Sequence, residues 1–206
     1  MIPKTTHRIW VQGNPPAEYF EYLESWRRLM PDWEHKLWSE PDYLHLLSDE
    51  VRPLYDATPY EGGRKYAQQA DIAGKFILYE LGGVAMCADF VCLRDMTSLF
   101  EGKSSAVLWW ETNGQMSNGL IGAPPKNPAV GYTTERMGRA LRQQRERGNS
   151  ITYGAGPVFL QGVWRGRNDL EIRPAREIYP YFWTEPDPGE YGDAYAVHHW
   201  KASWKE

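Results

Sequence analysis

Leu78-Tyr79-Glu80-Leu81-Gly82-Gly83-Val84-Ala85-Met86-Cys87-Ala88-Asp89-Phe90-Val91-Cys92-Leu93 reads as the end of an apolar helix, a double-glycine turn and a strand that carries a single acid. The helical run stops at Gly82-Gly83, where a backbone with positive φ meets no Cβ penalty. The apolar run that follows has the composition of a strand, and Asp89 interrupts it. A carboxylate there has two physical explanations. Either it is paired with a base in the core, or it stands at the carboxyl end of a strand facing a cleft, where open α/β sheets bind ligands and metals.

On the N-terminal side of this stretch, Tyr66, Ala70, Ala73, Ile77 and Leu81 fall on one stripe, joined by Phe76. This spacing predicts a helix over 65–81 that buries one face against a sheet. Asp71 lies one position from the stripe, as a bonded structural group or as a ligand contact. Nearer the start, residues 7–11 read as a strand that ends in Gln12-Gly13-Asn14-Pro15-Pro16, which places Trp10 at a strand exit. The spacing of Tyr19, Phe20, Leu23, Trp26 and Met30 predicts a helix over 17–30, and residues 34–39 read as a second strand. The three elements make a βαβ opening, for which a right-handed parallel crossover is expected. Short helices are expected over 40–47 and 51–57.

On the C-terminal side, residues 97–100 read as a bend and 106–110 as a strand. A loop over 111–119 leads to a short apolar segment at 120–122. A charged helix is expected over 129–147, closed by Gly148-Asn149. Gly154-Ala155-Gly156-Pro157 has the form of a helix opening whose free N–H groups can face an anion. Residues 170–174 and 177–180 read as short strands. The end of the chain gathers His198, His199, Trp200 and Trp204, an aromatic density that suggests a tail folded back on the body.

With 206 residues and 42% hydrophobic content, the chain can bury a full core, and one domain spanning 1–206 is expected. A net charge of −4 gives no electrostatic footprint for nucleic acid, and the basic run over 136–147 reads as a solvated helix face. Cys87 and Cys92 would point to opposite faces of one strand, so no disulfide framework is implied. Met1-Ile2-Pro3-Lys4 shows no signal peptide, and no run approaches the roughly 18–20 apolar residues of a membrane span. A cytoplasmic protein is expected. Ten Trp and thirteen Tyr supply rings that suit sugar and nucleobase faces as well as cores.

Six segments in fixed order resemble the glycosyltransferases with a DXD sugar-nucleotide motif, a group that contains yeast initiating mannosyltransferases and bacterial and viral polysaccharide-synthesis enzymes. These segments are Ile2-Pro3-Lys4 with His7-Arg8-Ile9-Trp10, Ser25-Trp26 through Trp38, Ala70-Asp71-Ile72 through Val84, Ser117-Asn118, Gly156-Pro157, and His198-His199-Trp200 with Ser203-Trp204. The clostridial toxin glucosyltransferase domains look like more distant relatives. The resemblance implies a GT-A fold, a Rossmann-like α/β sheet flanked by helices, and transfer of a sugar from a UDP- or GDP-linked donor to a glycan or other hydroxyl acceptor. It implies Mn²⁺ or Mg²⁺ held by Asp89 with His198 or His199, Trp10 stacked on the nucleobase, Asp71 on donor hydroxyls, Asn118 lining the sugar pocket and Trp204 closing over the diphosphate.

Two positions depart from the pattern. Cys87 stands where the first acid of the DXD pair is expected, and Gly74 where an Arg is expected three residues after Asp71. A thiol is a poor partner for a hard cation. Lys75, Arg64 or Lys65 are the basic side chains available to replace the guanidinium. The alternative to an active transferase is a weakened relative that binds a nucleotide or glycan without turnover.

Overall fold

The computed structural model describes residues 1–201. Its strands are β1 (Thr5–Ile9), β2 (Glu34–Trp38), β3 (Gly83–Met86), β4 (Phe90–Cys92), β5 (Ala106–Trp109), β6 (Leu120–Ala123), β7 (Leu170–Arg173) and β8 (Ala196–His198). The helices are α1 (Ala17–Leu29), α2 (Glu40–Tyr43), α3 (Arg52–Asp56), α4 (Gly62–Leu81), α5 (Thr97–Phe100), α6 (Pro128–Arg147) and α7 (Pro157–Trp164). Six strands form one mixed sheet in the order β2-β1-β3-β6-β5-β7, and β4 and β8 form a separate two-stranded ribbon. β1 runs parallel to both β2 and β3, so the β1-α1-β2 opening is the parallel unit that its periodicity predicts. β6 runs antiparallel to β3 and β5, and β7 returns parallel to β5.

The sheet is covered on both faces. Trp26 of α1 and Met30 at its C-cap pack with Phe90, Phe100, Trp109 and Tyr179 in one apolar cluster. Ile72, Phe76 and Ile77 of α4 pack with Met137 and Leu141 of α6 in another. A third cluster, with Leu78, Val130, Leu160 and Trp164, joins α4, α6 and α7 to β5 and β6. Burial of these side chains, at about 1.5–3 kcal/mol each, is what makes short strands of three to five residues stable here. Among the described residues, no helix is long and apolar enough to cross a membrane.

The double-glycine turn fixes α4 against the sheet. Gly82 has φ +66° and Gly83 φ +94°, and a Cβ on either would lie 2.5 Å from backbone, at Pro125 N or at Thr5 O. His7 of β1 closes the turn from below. The Trp38 indole N–H donates to His7 Nδ1 at 3.1 Å, and an indole can only donate, so the ring proton sits on Nε2 and is donated to Gly82 O at 2.8 Å. Burial holds this neutral form, with the pKa lowered to about 4. The neighbouring Arg8 is 1% exposed; its guanidinium lies 5.0 Å from the Trp26 ring and has no hydrogen-bond partner among the described residues.

Three local expectations are corrected. The apolar run after the glycines is not one strand: β3 ends at Met86, Cys87-Ala88-Asp89 forms a connecting turn, and β4 starts at Phe90. The chain leaves the main sheet because β4 finds its partner in β8, with Phe90 opposite His198. Cys87 and Cys92 accordingly lie in different elements, and both are free thiols, in keeping with the absence of a predicted disulfide. Residues 177–180 are not a strand. Ala175–Glu177 forms a 3₁₀ turn between Pro174 and Pro180, whose rings remove ladder donors, and the Glu177 carboxylate is taken by Arg173 and the Trp109 indole N–H. Residues 97–100 form a helical turn rather than a bend, started by Asp95, which accepts from both the backbone N–H and the hydroxyl of Thr97.

Candidate active site

A cleft of about 360 Å³ opens at the carboxyl ends of β1 and β3. Trp10, Val11 and Gln12 enter it as the chain leaves β1, and Cys87, Ala88 and Asp89 as it leaves β3. Because β6 is antiparallel to β3, the residues just before it, Asn118 and Gly119, reach the same place. α4 contributes Asp71, Gly74 and Lys75, the start of α7 contributes Gly156 and Pro157, and the returning tail contributes His198, Trp200 and Lys201. Parallel strands with a shared direction thus collect their exit residues at one edge, as open α/β sheets do.

Asp89 is held from three sides. Its Oδ1 lies 2.9 Å from His198 Nε2, its Oδ2 accepts the Lys201 backbone N–H at 3.0 Å, and its carbonyl accepts the His199 backbone N–H at 3.2 Å. Asp89 is 8% exposed and His198 9%. Burial opposes ionisation of Asp89, but His198 and the Lys201 N–H outweigh it, and the carboxyl pKa lies below its ordinary value. The His198 ring is set by Phe90 at 4.5 Å and Trp200 at 4.3 Å between centroids. His199 points the other way, stacked on Tyr22 with Nδ1 3.3 Å from Asp187 Oδ2. Of the two histidines, therefore, His198 meets Asp89.

Asp71 accepts from the Asn118 side-chain amide at 2.6 Å, which brings two of the sequence-derived site residues together. Burial raises the Asp71 pKa to about 6, against the opposing pull of Lys75 and Asn118. Lys75 is 4% exposed and electrostatically coupled to both Asp71 and Cys87. It supplies a cation next to Gly74, where a Cβ would meet its nearest neighbour at an ordinary 3.6 Å. Trp10 lines the cleft with its ring 4.6 Å from that of Tyr19, and its indole N–H is buried with no hydrogen-bond partner among the described residues. Trp204 lies outside the described residues.

Two contributors escaped the sequence reading. Glu111 follows β5 and lines the cleft, where burial raises its pKa to about 7. Its signal was weaker than that of Asp89, since it heads the loop after the 106–110 strand and does not interrupt an apolar run. Tyr179 packs edge-on to His198 and shares a short hydrogen bond with Ser117. No local pattern marked it, because residues 177–180 read as a strand.

Residues 16–106, which include Asp71, Cys87 and Asp89, match the family model described as the glycosyltransferase sugar-binding region containing the DXD motif. Over this segment the chain is similar to the DXD-motif glycosyltransferases. It is 27% identical to inositol phosphoceramide mannosyltransferase 1 of Schizosaccharomyces pombe over 165 residues, 77% of this chain and 50% of that protein. The chain spans about half the length of the first curated relatives it matches. The PaToxG glycosyltransferase superposes with a TM-score of 0.63 at 17% identity, covering 79% of this chain and 69% of the other. The UDP-bound glycosyltransferase domain of the YGT toxin superposes at 0.59 and 10% identity, covering 83% and 79%. At these identities the likeness is one of fold, and the fold is GT-A.

The donor set suits a divalent cation. Bonds of about 2.1 Å to nitrogen and oxygen hold two adjacent ligand atoms roughly 3.0–3.4 Å apart. His198 Nε2 and Asp89 Oδ1 stand 2.9 Å apart as a direct pair, and would separate by a few tenths of an ångström to share a cation. Cys87, Asp89 and His198 each offer one ligand atom, all within 4.8 Å of one another.

Proposed function

We propose that residues 1–206 act as one GT-A unit that transfers a sugar from a nucleotide-sugar donor to a hydroxyl of a carbohydrate or other acceptor. The observation that carries this reading is the meeting, in one cleft, of an aromatic ring at a strand exit, a polar pair and a carboxylate–imidazole pair. Trp10 offers a ring face to the nucleobase, whose partner need also gives its buried indole N–H a purpose. Asp71 and Asn118 offer an acceptor and an amide to donor hydroxyls, and their mutual hydrogen bond fixes both. Asp89 and His198 hold the cation, which neutralises charge on the departing nucleoside diphosphate. Lys75 adds positive charge behind Asp71 where Gly74 has none. Trp183, 48% exposed at the cleft rim, presents a flat ring suited to an acceptor sugar. The UDP bound by the YGT toxin domain supports a uridine-type donor, and the mannosyltransferase relatives support a hydroxyl acceptor.

The test is nucleotide binding followed by turnover. UDP and GDP are titrated with and without divalent cation, read by tryptophan fluorescence, and the cation is expected to tighten binding at least tenfold in the native chain and not in Asp89→Ala. A donor panel scored by release of nucleoside diphosphate then reads transfer or slow hydrolysis. Absence of nucleotide binding under every cation overturns the reading. Binding without release across the panel favours the second reading, a binding-only relative, for which the specific observation is that Cys87 and Gly74 replace an acid and a base at two site positions together.

A further inference from the structure

We propose that the cleft takes a thiophilic divalent cation, Zn²⁺ rather than Mn²⁺ or Mg²⁺, with Cys87 Sγ as a ligand beside Asp89 and His198. The inference rests on the donor-site reading above and concerns which metal the site selects. Cys87 is the position at which an oxygen donor was expected, and its side chain has not moved out of the site. Its backbone N–H donates to Gly119 O at 2.7 Å, which fixes the start of the turn, and its ligand atom stays within 4.8 Å of those of Asp89 and His198. A Cβ on Gly119 would crowd the Tyr179 hydroxyl at 2.7 Å and the Phe90 ring at 3.3 Å, and would touch Cys87 Sγ at an ordinary 3.5 Å, so the glycine sits against the residues that wall the sulfur.

Three different donors, one carboxylate oxygen, one imidazole nitrogen and one sulfur, are a poor cage for Mg²⁺ or Mn²⁺, which favour six oxygen-rich contacts. They are the mixed set of a tetrahedral Zn²⁺ site with three protein ligands and one open position, here left for a diphosphate oxygen. The imidazole serves by changing tautomer: Nε2, whose proton faces Asp89 Oδ1, gives that proton up as it takes the metal, and the ring then carries its proton on Nδ1, which is buried without a hydrogen-bond partner among the described residues. As the sulfur–metal bond forms, the thiol proton leaves to solvent, and the two positive charges of the cation are offset by thiolate and carboxylate, which leaves a neutral centre in a buried site. With an acid at position 87 the same count would hold for a hard cation. The sulfur changes the preference, not the charge.

Co²⁺ titration of the intact chain tests this without turnover. A thiolate-to-Co²⁺ charge-transfer band in the near ultraviolet is expected on the native protein and should vanish in Cys87→Ser and Cys87→Asp, both checked for folding by circular dichroism. Because Zn²⁺ outranks Mn²⁺ at most sites, the decisive quantity is the change in ratio. The Zn²⁺/Mn²⁺ affinity ratio from chelator competition is expected to fall at least tenfold in Cys87→Asp. Bound Co²⁺ with no charge-transfer band, or an unchanged ratio in Cys87→Asp, overturns the inference. If UDP still binds with Mn²⁺ in that case, the donor-site reading survives. If the band appears and UDP and GDP do not bind with any cation, that reading fails and the metal site stands.

Discussion

His198 Nε2 stands 2.9 Å from Asp89 Oδ1 because Phe90 and His198 are opposite each other in the β4–β8 ribbon, so the ribbon that carries the tail also delivers the tail's histidine to the turn after β3. The same carboxylate accepts the Lys201 N–H, and Asp89 is therefore both a site group and the clasp of the C-terminal segment. Asp89→Ala removes the partner of the buried His198 imidazole and of the part-buried Lys201 N–H, and is expected to cost about 1–3 kcal/mol in urea denaturation at pH 7. Asp89→Asn keeps an acceptor for Lys201 and should cost less. Since the native carboxyl has a depressed pKa, its contribution is full at neutral pH and lost as pH falls below the ordinary carboxylate range. Equal stabilities for the two variants would show that the clasp does not hold β8.

Gly83 and Gly114 share positive φ, at +94° and +79°, but differ in their surroundings. A Cβ on Gly114 meets nothing within 4 Å, whereas one on Gly83 meets Thr5 O at 2.5 Å and His7 Nε2 at 2.8 Å. Gly114→Ala should cost about 1 kcal/mol, the strain of the left-handed backbone alone. Gly83→Ala should cost at least about 2 kcal/mol more, because β1 and β3 must separate to admit the methyl group. Thermal denaturation of the pair isolates the steric part, and equal losses would refute it.

His7 has a folded pKa of about 4 against 6.5 in the unfolded chain. Between those values the unfolded state binds the extra proton, so stability rises with pH through this window and is complete above about 6.5. The shift corresponds to about 3 kcal/mol at most. His7→Gln, which keeps an N–H for Gly82 O, should be less stable than native at pH 7 and show a flatter stability profile between pH 4 and 6.5. An unchanged slope would place the acid sensitivity elsewhere.

Glu111 behaves in the opposite sense. Its folded pKa of about 7 lies above the ordinary 4.5, so the folded state holds the proton and stability falls as pH rises from 4.5 to 7. Glu111→Gln is expected to stabilise the protein by about 1–3 kcal/mol at pH 8 and to make little difference at pH 5. Such a gain marks a carboxylate kept in the cleft at a cost to the fold. A loss of stability at pH 8 would mean that Glu111 is a structural group.

The sequence by itself determined what depends on a few neighbouring residues. Gly82-Gly83 allowed a positive-φ turn without a Cβ penalty, the apolar spacing over 65–81 set a helix that buries Ala73, Phe76 and Ile77 though Leu81 at its end is exposed, and the order of β1, α1 and β2 set a parallel opening. Asp89 stood out because a carboxylate in an apolar run needs a partner or a cleft. The tertiary structure showed that it has both. It also decided what depends on residues far apart: that the run after Met86 breaks to pair with β8, that His198 and not His199 meets Asp89, that Asn118 takes Asp71, and that Cys87 stays among the ligand atoms. Backbone preference acts over one turn or one strand, whereas a site is made by side chains that meet only after the core has closed.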